Sequence, residues 1–387
     1  MRRMGSVTSC AKVTLCLLNI WVLCVILVVA LGHWRVFDAD LSLHRFHDDS
    51  HLVVMRELKE EANLKTGGFL TNKSKSAEAL PVVKKQIQEH KPAAALTAVQ
   101  QEIEDRVSTM TQWCARLHPR SRDVASIPAE RLSMIMVDRE HRLLFCQIPG
   151  VAQNDWRRIF IYLSGKVNVT QHLKISAYDA HSKYAPLLKK LSDFKPEERK
   201  KIAEESMKVI FVRDPFERLV STYQNKFQAR YSKYFHESFG RKIIQRYRKN
   251  ATAKSKKEGN DVTFNEFVRF VLDSEHETDG PLNEHWERYY KQCHPCVLHY
   301  DFVGKFESLA DDTVEVLTRA KVIKKLSAPY VADTFRNSEK SLKSFFQTVS
   351  QPDLKRLWNI YYPDYNLFSY SYPEVLHTLF QKSFHDY

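Results

Sequence analysis

Residues 209–221 read Val209-Ile210-Phe211-Val212-Arg213-Asp214-Pro215-Phe216-Glu217-Arg218-Leu219-Val220-Ser221. The apolar run Val209–Val212 predicts a buried strand, and the apolar spacing over Phe216–Phe227 predicts an amphipathic helix. Pro215 suits the start of that helix, because its missing amide costs no hydrogen bond there. Arg213, at the end of the strand, can bind a phosphate through two hydrogen bonds. Ser221 adds a hydroxyl about two helical turns later. The segment therefore predicts a strand that ends in an anion-binding turn.

A second segment repeats this strand–turn–helix design. Residues 145–158 read Phe145-Cys146-Gln147-Ile148-Pro149-Gly150-Val151-Ala152-Gln153-Asn154-Asp155-Trp156-Arg157-Arg158. We predict a strand over Leu143–Ile148 and a helix over Trp156–Leu163. A helix N-terminus presents unpaired amides and a partial positive charge, so a phosphate binds there readily. Two such units in one domain indicate a ligand that carries phosphate groups.

The chain from residue 126 onward alternates apolar strands with amphipathic helices. The further predicted elements are a helix over Pro196–Met207, a strand over Cys296–Val303 and a helix over Leu309–Ala320. The tyrosine-rich stretch Tyr361–Tyr372 is expected to pack back on the domain. This alternation predicts an α/β fold, a three-layer sandwich with a central parallel sheet.

The N-terminal region carries an apolar run, Val13–Leu31, that is long enough to cross a bilayer as a helix. Basic residues precede the run and acidic residues follow it, so the positive-inside rule places the body of the protein in the lumen. We predict a cytosolic tail over 1–12, a transmembrane signal-anchor over 13–33, a lumenal stem over 34–125 and the main folded domain over 126–387. The stem includes short helices, one of them over Ala98–Leu117. A cleaved signal peptide is the alternative, but the run is long for one.

The cysteines fit an oxidising compartment. Three of the seven belong to the tail and anchor, and the even set that remains is Cys114, Cys146, Cys293 and Cys296. The last two form a Cys-x-x-Cys pair without a thioredoxin-like context, and one pair cannot complete a tetrahedral zinc site. We expect a structural disulfide, either within the pair or to the other two cysteines. Three glycosylation sequons, consistent with lumenal exposure, start at Asn72, Asn168 and Asn250.

The formal net charge of the 387-residue chain is +13, and its densest basic run is 241–257, with eight basic and no acidic residues. Such a run is either a solvated face or an amphipathic helix that presents a basic face to a glycan. Behind a membrane anchor, nucleic acid is not an expected partner. The polyanions available there are sulfated or uronic-acid glycans and nucleotides. The oligomeric state is left open.

These segments resemble the carbohydrate sulfotransferases that modify chondroitin, dermatan and the HNK-1 epitope. The similarity extends from about Met134 to Pro373 and is greatest to chondroitin 4-O-sulfotransferases. Further matching segments are Asn283-Glu284-His285-Trp286, Cys293-His294-Pro295-Cys296, His299-Tyr300-Asp301-Phe302-Val303-Gly304-Lys305-Phe306-Glu307 and Phe239-Gly240-Arg241-Lys242-Ile243-Ile244. The resemblance implies a P-loop-like sulfotransferase fold, 3′-phosphoadenosine 5′-phosphosulfate (PAPS) as donor, no metal, a glycosaminoglycan acceptor and a Golgi membrane location.

The resemblance also assigns the site residues. Arg213 and Ser221 hold the 3′-phosphate of the donor within the segment 213–221, and the first loop wraps the 5′-phosphosulfate. The donor-binding residues are Gly150, Val151, Ala152, Gln153, Asn154, Asp155, Trp156, Arg157, Arg158, Arg213, Asp214, Pro215, Phe216, Glu217, Arg218, Leu219, Val220 and Ser221. His285 is the candidate base and Glu284 the reserve; alternatively, His285 only packs at a helix start. His181, His294 and His299 are expected to be structural.

The first loop departs from the family pattern Pro-Lys-Val-Ala-Cys-Thr/Ser-Asn-Trp-Lys-Arg. Gly150 stands for the lysine, Gln153 and Asn154 for the next two polar residues, and Asp155 for the asparagine. In the family the lysine contacts the bridging oxygen, and such a contact is worth a few kcal/mol of transition-state stabilisation. After Pro149 we expect φ below zero at Gly150. The alternative function is therefore a weak or inactive paralogue that binds glycan or nucleotide without turnover. A nucleoside-triphosphate kinase is disfavoured, because the Gly-x-x-x-x-Gly-Lys-Ser/Thr loop is missing.

Overall fold

The computed structural model describes residues 93–117, 123–229, 232–274, 282–326, 339–373 and 376. The predicted anchor, most of the predicted stem and the sequon at Asn72 lie outside these residues. Within the described ranges, no helix has both the length and the apolar character that a bilayer span requires.

The domain is built on a five-stranded mixed sheet. In chain order the strands are β1 (Ile135–Asp138), β2 (Leu143–Cys146), β3 (Lys189–Lys190), β4 (Met207–Val212) and β5 (Phe302–Lys305), and their spatial order is β3-β1-β2-β4-β5. Strands β2, β4 and β5 are parallel, whereas β1 is antiparallel to both β2 and β3. The α/β class and the central sheet are confirmed, but the sheet is not wholly parallel. Only four residues join β1 to β2, which suffices for a hairpin and not for a parallel crossover.

Helices follow the strands in the predicted order. The first seven are α1 (Ala93–Leu117), α2 (Gln153–Leu163), α3 (Ala177–His181), α4 (Pro196–Glu205), α5 (Pro215–Tyr223), α6 (Lys233–Phe235) and α7 (Arg241–Tyr247). The others are α8 (Ala253–Glu258), α9 (Phe264–Ser274), α10 (Tyr289–Gln292), α11 (Pro295–Leu298), α12 (Leu309–Arg319), α13 (Glu339–Phe346) and α14 (Gln351–Leu367). Two π-helical turns, Gln224–Gln228 and His236–Gly240, extend α5 and α6.

The strand predicted over Cys296–Val303 is wrong in its first half. Residues 295–298 form α11, with Pro295 at the first helical position, and His299 then takes a left-handed conformation with φ 51°. The strand begins only at Phe302, after this bend. The amphipathic helix considered for residues 241–257 is likewise divided into α7 and α8, because Arg248 is extended and Thr252 caps the next helix.

Helix α1, whose sequence we assigned to the stem, is bonded to the sheet domain. The guanidinium of Arg106 donates to the carboxylate of Asp312 at 2.7 Å and to the carbonyl of Val303 at 3.3 Å. A disulfide joins Cys114 to Cys296 at the start of α11. These long-range bonds make α1 a part of the folded domain.

A second disulfide joins Cys146, at the end of β2, to Cys293, at the end of α10. Both sulfurs are buried in the core around the sheet. Of the two arrangements left open by the sequence, the structure therefore has the one that pairs the Cys-x-x-Cys residues with the two distant cysteines.

Two hydrophobic clusters support the domain. One surrounds the sheet, where Trp156 from α2 stacks on Phe145 with ring centroids 4.5 Å apart. The other lies among α5, α9, α13 and α14 and is rich in aromatic rings, with Phe267 and Trp286 at its centre. The first candidate turn borders the sheet cluster through Ile148 and Val151. The second lies between the clusters, with Val212 in one and Phe216 in the other. The three-layer arrangement of the sandwich stays a prediction.

Candidate active site

The two anion-binding turns lie side by side at one edge of the sheet. Strands β2 and β4 are parallel neighbours, with Cys146 opposite Ile210. Each turn follows the carboxyl end of its strand, and this edge of a parallel sheet is the usual position of ligand sites in α/β proteins. The topology therefore unites two segments that are about 65 residues apart in the sequence.

The first turn is a tight bend that leads into α2. The amide of Val151 donates to the carbonyl of Ile148 at 3.1 Å. Gly150 has φ +81° and Ala152 has φ 52°. The expected negative φ at Gly150 is wrong, because Pro149 and Gly150 are the two central residues of a turn that needs a positive φ at its second position. Glycine adopts this conformation without a steric cost.

Backbone amides of this turn are available to a ligand. The amides of Gly150, Ala152, Gln153 and Asn154 have no acceptor among the residues that the structure describes. They lie at the N-terminus of the 11-residue helix α2, where the helix dipole favours an anion. These amides are therefore available to bind an anion, and their binding of the 5′-phosphosulfate stays a prediction.

The polar side chains on α2 are held within the protein. Arg157 is buried and donates to the side chain of Gln147 at 2.7 Å and to the carbonyl of Ala180 at 3.1 Å. Burial lowers the pKa of its guanidinium to about 10. Arg158 donates to the carbonyl of Ile175 and pairs with Asp155 at 3.0 Å. The negative charge that Asp155 brings to the loop is therefore compensated locally.

The second turn presents Arg213 and is fixed by Asp214. The carboxylate of Asp214 caps α5 by accepting from the amides of Phe216 and Glu217, each at 2.9 Å. Arg213 is 2% exposed; its Nε donates to Glu217 at 3.3 Å, and its guanidinium lies 4.5 Å from the centre of the Phe306 ring. Ser221 is half-buried on α5, where Asn225 donates to its hydroxyl.

Arg218 joins the two turns to the segment that carries the candidate base. It is 2% exposed, and its guanidinium donates to the carbonyls of Pro149 at 3.2 Å, Glu287 at 2.8 Å and Glu284 at 2.7 Å. The same group lies over the ring of Tyr289 at 4.8 Å. A buried cation that bonds three carbonyls fixes the relative positions of the donor turn and the base segment.

The candidate base, His285, lies in a short bend with its orientation fixed. Its Nδ1 lies 2.8 Å from the side-chain oxygen of Asn283, and its backbone amide donates to the same oxygen at 3.1 Å. This contact assigns the proton to Nδ1 and leaves Nε2 as an acceptor. The ring packs edge-on against Phe235 at 5.0 Å, and the side chain is 13% exposed.

The surroundings of His285 keep its imidazole neutral. Burial lowers the pKa of His285 well below its ordinary value, and the positive charges of Lys226 and Arg218, together with His181, lower it further. A neutral imidazole with a free Nε2 can accept a proton from a substrate hydroxyl. The reserve residue, Glu284, has a side chain that is 46% exposed and lies 4.0 Å from Nδ1 of His285.

The structure separates the predicted donor residues into two groups. The amides of the first turn and Arg213 follow the carboxyl ends of β2 and β4, and Ser221 lies further along α5. Several apolar side chains are instead in the core, where they hold the turns in place. These core residues are Val151, Trp156, Pro215, Phe216, Leu219 and Val220. The roles of all these residues stay predictions.

Sequence reasoning missed three residues around the site. His181, expected to be only structural, lies 2.7 Å from the side-chain oxygen of Asn154 and acts electrostatically on His285. Lys226 lies over Phe235 at 4.8 Å, in a π-helical turn, a feature that often occurs at functional sites. Gln147 holds Arg157. Only tertiary contacts reveal these roles, although the polar Gln147 within an apolar strand end was a usable signal.

Within the described part of the chain, no group of three or more metal-ligating side chains comes together. The described part of the chain offers backbone amides and arginine side chains that can bind anions, next to one neutral imidazole. This combination suits transfer of a group from a phosphate-bearing donor to a hydroxyl.

Comparison with known proteins agrees with this chemistry. A family model described as the Sulfotransferase family matches residues 133–371. Carbohydrate sulfotransferase 11 of Rattus norvegicus is 38% identical over 271 residues, which are 70% of this chain and 76% of the relative. Carbohydrate sulfotransferase 8 of Homo sapiens is 33% identical (70% and 63% covered), and carbohydrate sulfotransferase 14 of Danio rerio is 36% identical (63% and 64% covered). No solved structure matches. The chain therefore belongs to the sulfotransferase family, as a carbohydrate sulfotransferase that uses PAPS.

Proposed function

We propose that this protein sulfates the 4-hydroxyl of N-acetylgalactosamine in chondroitin or dermatan. The observation that carries the proposal is the placement of a neutral imidazole beside the donor turns. Arg218 bonds the donor turn and the base segment through Pro149 and Glu284. The resemblance to chondroitin 4-O-sulfotransferases supports the choice of sugar, and the surplus of basic residues supports a polyanionic acceptor.

Each part of the site has one task in this proposal. The donor supplies an activated sulfuryl group on a phosphate leaving group. The amides of the first turn bind the phosphate next to that group, and Arg213 with Ser221 holds the 3′-phosphate. His285, with its Nδ1 proton on Asn283, accepts the proton of the sugar hydroxyl at Nε2. Arg218 positions the base relative to the turn, and Glu284 is the reserve base.

The proposed location is the Golgi membrane, with a single anchor over 13–33 and the catalytic domain in the lumen. Two observations support it. The apolar run 13–31 has a basic N-terminal flank, and the disulfides Cys114–Cys296 and Cys146–Cys293 require an oxidising compartment.

An acceptor panel tests the proposal. The full chain in detergent is incubated with labelled PAPS and with chondroitin, dermatan, their desulfated forms and desulfated heparan chains. Disaccharide analysis then locates the new sulfate. We expect label on the 4-hydroxyl of N-acetylgalactosamine in desulfated chondroitin or dermatan. Label on another hydroxyl, or only on the heparan chain, would contradict the proposed acceptor.

A second candidate function is binding of donor and glycan with slow turnover. Gly150, which stands where the family has lysine, favours it, because the site lacks the cation that neutralises the leaving phosphate. A matched pair of variants, Gly150→Lys and Gly150→Ala, tests this point. Both place a side chain at φ +81°, at a cost of about 1–2 kcal/mol in stability, and only the first adds an amine.

If the native enzyme is slow, Gly150→Lys should turn over faster than Gly150→Ala, by roughly tenfold or more, with little difference in donor affinity. The added Cβ would lie 3.8 Å from Arg218, an ordinary contact, so no clash obscures the comparison. Equal rates for the two variants, with a fast native enzyme, would show that the amides and arginines already supply the charge.

A further inference from the structure

We propose that five lysines on α7, α8 and the segment between them form a docking surface for the acceptor polymer, away from the reacting sugar. This lysine patch consists of Lys242, Lys249, Lys254, Lys256 and Lys257, all of them exposed. The inference rests on the proposed function, because it takes the acceptor to be a long polyanionic glycan.

The two helices are held together by close backbone contact. A Cβ on Gly240 would lie 2.0 Å from the carbonyl oxygen of Gly259, so only glycine permits this approach. Gly259 itself has φ +68° and ends α8. On the inner side, Ile243 and Ile244 are buried in the aromatic cluster. The basic side chains are therefore displayed on the outer side of a rigid pair of helices.

Arginines and lysines have different tasks in this run. The three arginines are paired with carboxylates: Arg241 with Glu237, Arg246 with Asp273, and Arg248 with Asp261 and Glu266. Hydrogen bonds to Glu266 raise the pKa of Arg248. Arg248 follows the end of α7, so these bonds hold the segment between the two helices. By contrast, none of the five lysines forms an ion pair with a described residue. Their charges are thus available to a partner.

The lysine patch is connected to the candidate site through packed aromatic rings. Phe239, three residues before Lys242, packs edge-on against Trp286 at 5.2 Å and stacks on Phe235 at 5.6 Å. Phe235 in turn contacts the ring of His285 at 5.0 Å. Phe235 and Trp286 are buried in the aromatic cluster, so these contacts fix the position of α7, and with it the lysine patch, relative to His285.

The positive charge of the lysine patch indicates that its partner is a polyanion. Five exposed ammonium groups on two joined helices attract a partner with regularly spaced negative charges, which a chain of uronic acids and sulfates provides. Lysine also suits a partner without fixed geometry, because its ammonium is a flexible point charge rather than a planar fork. The patch should thus increase affinity for long acceptors without reading the reacting sugar.

Charge reversal at three positions tests the inference. The test variant is Lys254→Glu/Lys256→Glu/Lys257→Glu in the full chain. The control is Lys201→Glu/Lys321→Glu/Lys324→Glu, which changes the net charge equally at exposed lysines elsewhere. Asn250 is left intact, so any glycan there is common to all proteins. Two acceptors are compared, a desulfated chondroitin hexasaccharide and the long polymer, and polymer binding is also measured without donor.

We expect the test variant to raise KM for the polymer and weaken polymer binding by roughly tenfold, with KM for the hexasaccharide and kcat within twofold of native. Added salt should reduce the native advantage for long chains. The inference would be overturned if KM changed equally for the hexasaccharide and the polymer, or if the control variant had the same effect as the test variant. Binding of the protein to anionic lipid vesicles without binding to the polymer would also overturn it. If no glycan is sulfated but the polymer binding behaves as expected, the proposed activity fails and the docking surface stands.

Discussion

Arg213 has a structural role and occupies a position that we predict to bind the donor. Its guanidinium is buried between Glu217 and the ring of Phe306, at the carboxyl end of a central strand. Such burial makes its charge strong toward any anion that enters, since water does not screen it. A second arginine, Arg319 at the end of α12, makes the same two kinds of contact but is exposed: it pairs with Glu315 at 2.8 Å and lies 5.5 Å from the centre of the Phe302 ring.

Arg319 therefore serves as the control for a substitution of Arg213. Arg213→Gln should weaken binding of adenosine 3′,5′-bisphosphate by roughly 2–4 kcal/mol and leave binding of adenosine 5′-phosphate nearly unchanged, because only the first nucleotide carries the 3′-phosphate. Arg319→Gln should affect neither nucleotide. Calorimetric titration measures all four combinations. Equal losses for both nucleotides would make Arg213 a structural residue.

The lowered pKa of His285 predicts that catalytic activity persists to a lower pH than an ordinary histidine base would allow. Because burial and neighbouring positive charges lower its pKa, the base is lost only when the pH falls through that lowered value. The acid limb of kcat/KM should therefore lie below pH 6.5, so that turnover persists in a mildly acidic compartment. Lys226→Gln removes one of the charges and should move the acid limb to higher pH.

The corresponding loss-of-function variant is His285→Asn, which should reduce turnover by about 10²–10⁴-fold with donor affinity retained. His299→Asn is the matched control, because His299 is exposed and asparagine tolerates its left-handed conformation. A native acid limb at or above pH 6.5, or an active His285→Asn, would exclude His285 as the base.

At the scale of the elements, disulfides hold the segments of the candidate site that contain only short helices. The base segment is joined to the rest of the domain by short helices of four residues, α10 and α11, which have little stability of their own. The disulfide Cys146–Cys293 holds this region to the strand that ends at the donor turn. The disulfide Cys114–Cys296 instead holds α1.

Removing the two disulfides separately should therefore give different results. They close loops with sequence separations of 147 and 182, so each should contribute a similar stability, about 5 kcal/mol by the chain-entropy estimate. Serine at Cys146 and Cys293 should also raise KM for the donor, whereas serine at Cys114 and Cys296 should lower stability with donor KM nearly unchanged. Chemical denaturation and donor titration measure the two effects. Equal donor affinities in the two variants would contradict this division.

At the scale of the whole molecule, the sequons test the predicted topology. Asn168 and Asn250 are both exposed on the domain surface, so a transferase in the lumen can reach them. Treatment of the cell-expressed full chain with a glycosidase should increase its gel mobility. Replacing both asparagines with glutamine should reduce that shift, and the exposed Asn260→Gln, which is in no sequon, should not. A body that is unglycosylated and open to protease in sealed vesicles would contradict a lumenal domain.

The net charge of +13 also acts at this scale, but its distribution matters more than its sum. Within residues 241–257 the arginines neutralise carboxylates of their own domain, and the lysines face the solvent. A count of charges from the sequence could predict a polyanionic partner. It could not predict which of the charges remain for that partner.

Patterns in the sequence sufficed to predict the two strand–turn–helix units and the family, and they nominated a candidate base. These features are local: four apolar residues, a proline at the helix start and an arginine at the strand end suffice to predict the unit around Val209–Ser221. The same local reasoning was wrong at Gly150 and at Cys296–Val303, where turn geometry and a helical bend override the preference of single residues.

Three features depend on the tertiary structure: the disulfide pairing, the contacts of Arg218 and the lowered pKa of His285. The carbonyls that Arg218 binds are 66–69 residues away in the sequence, and each disulfide spans more than 140 residues. Such contacts depend on which strands become neighbours, and no local periodicity contains that information. The pKa of a buried imidazole likewise depends on charges that only folding brings near it.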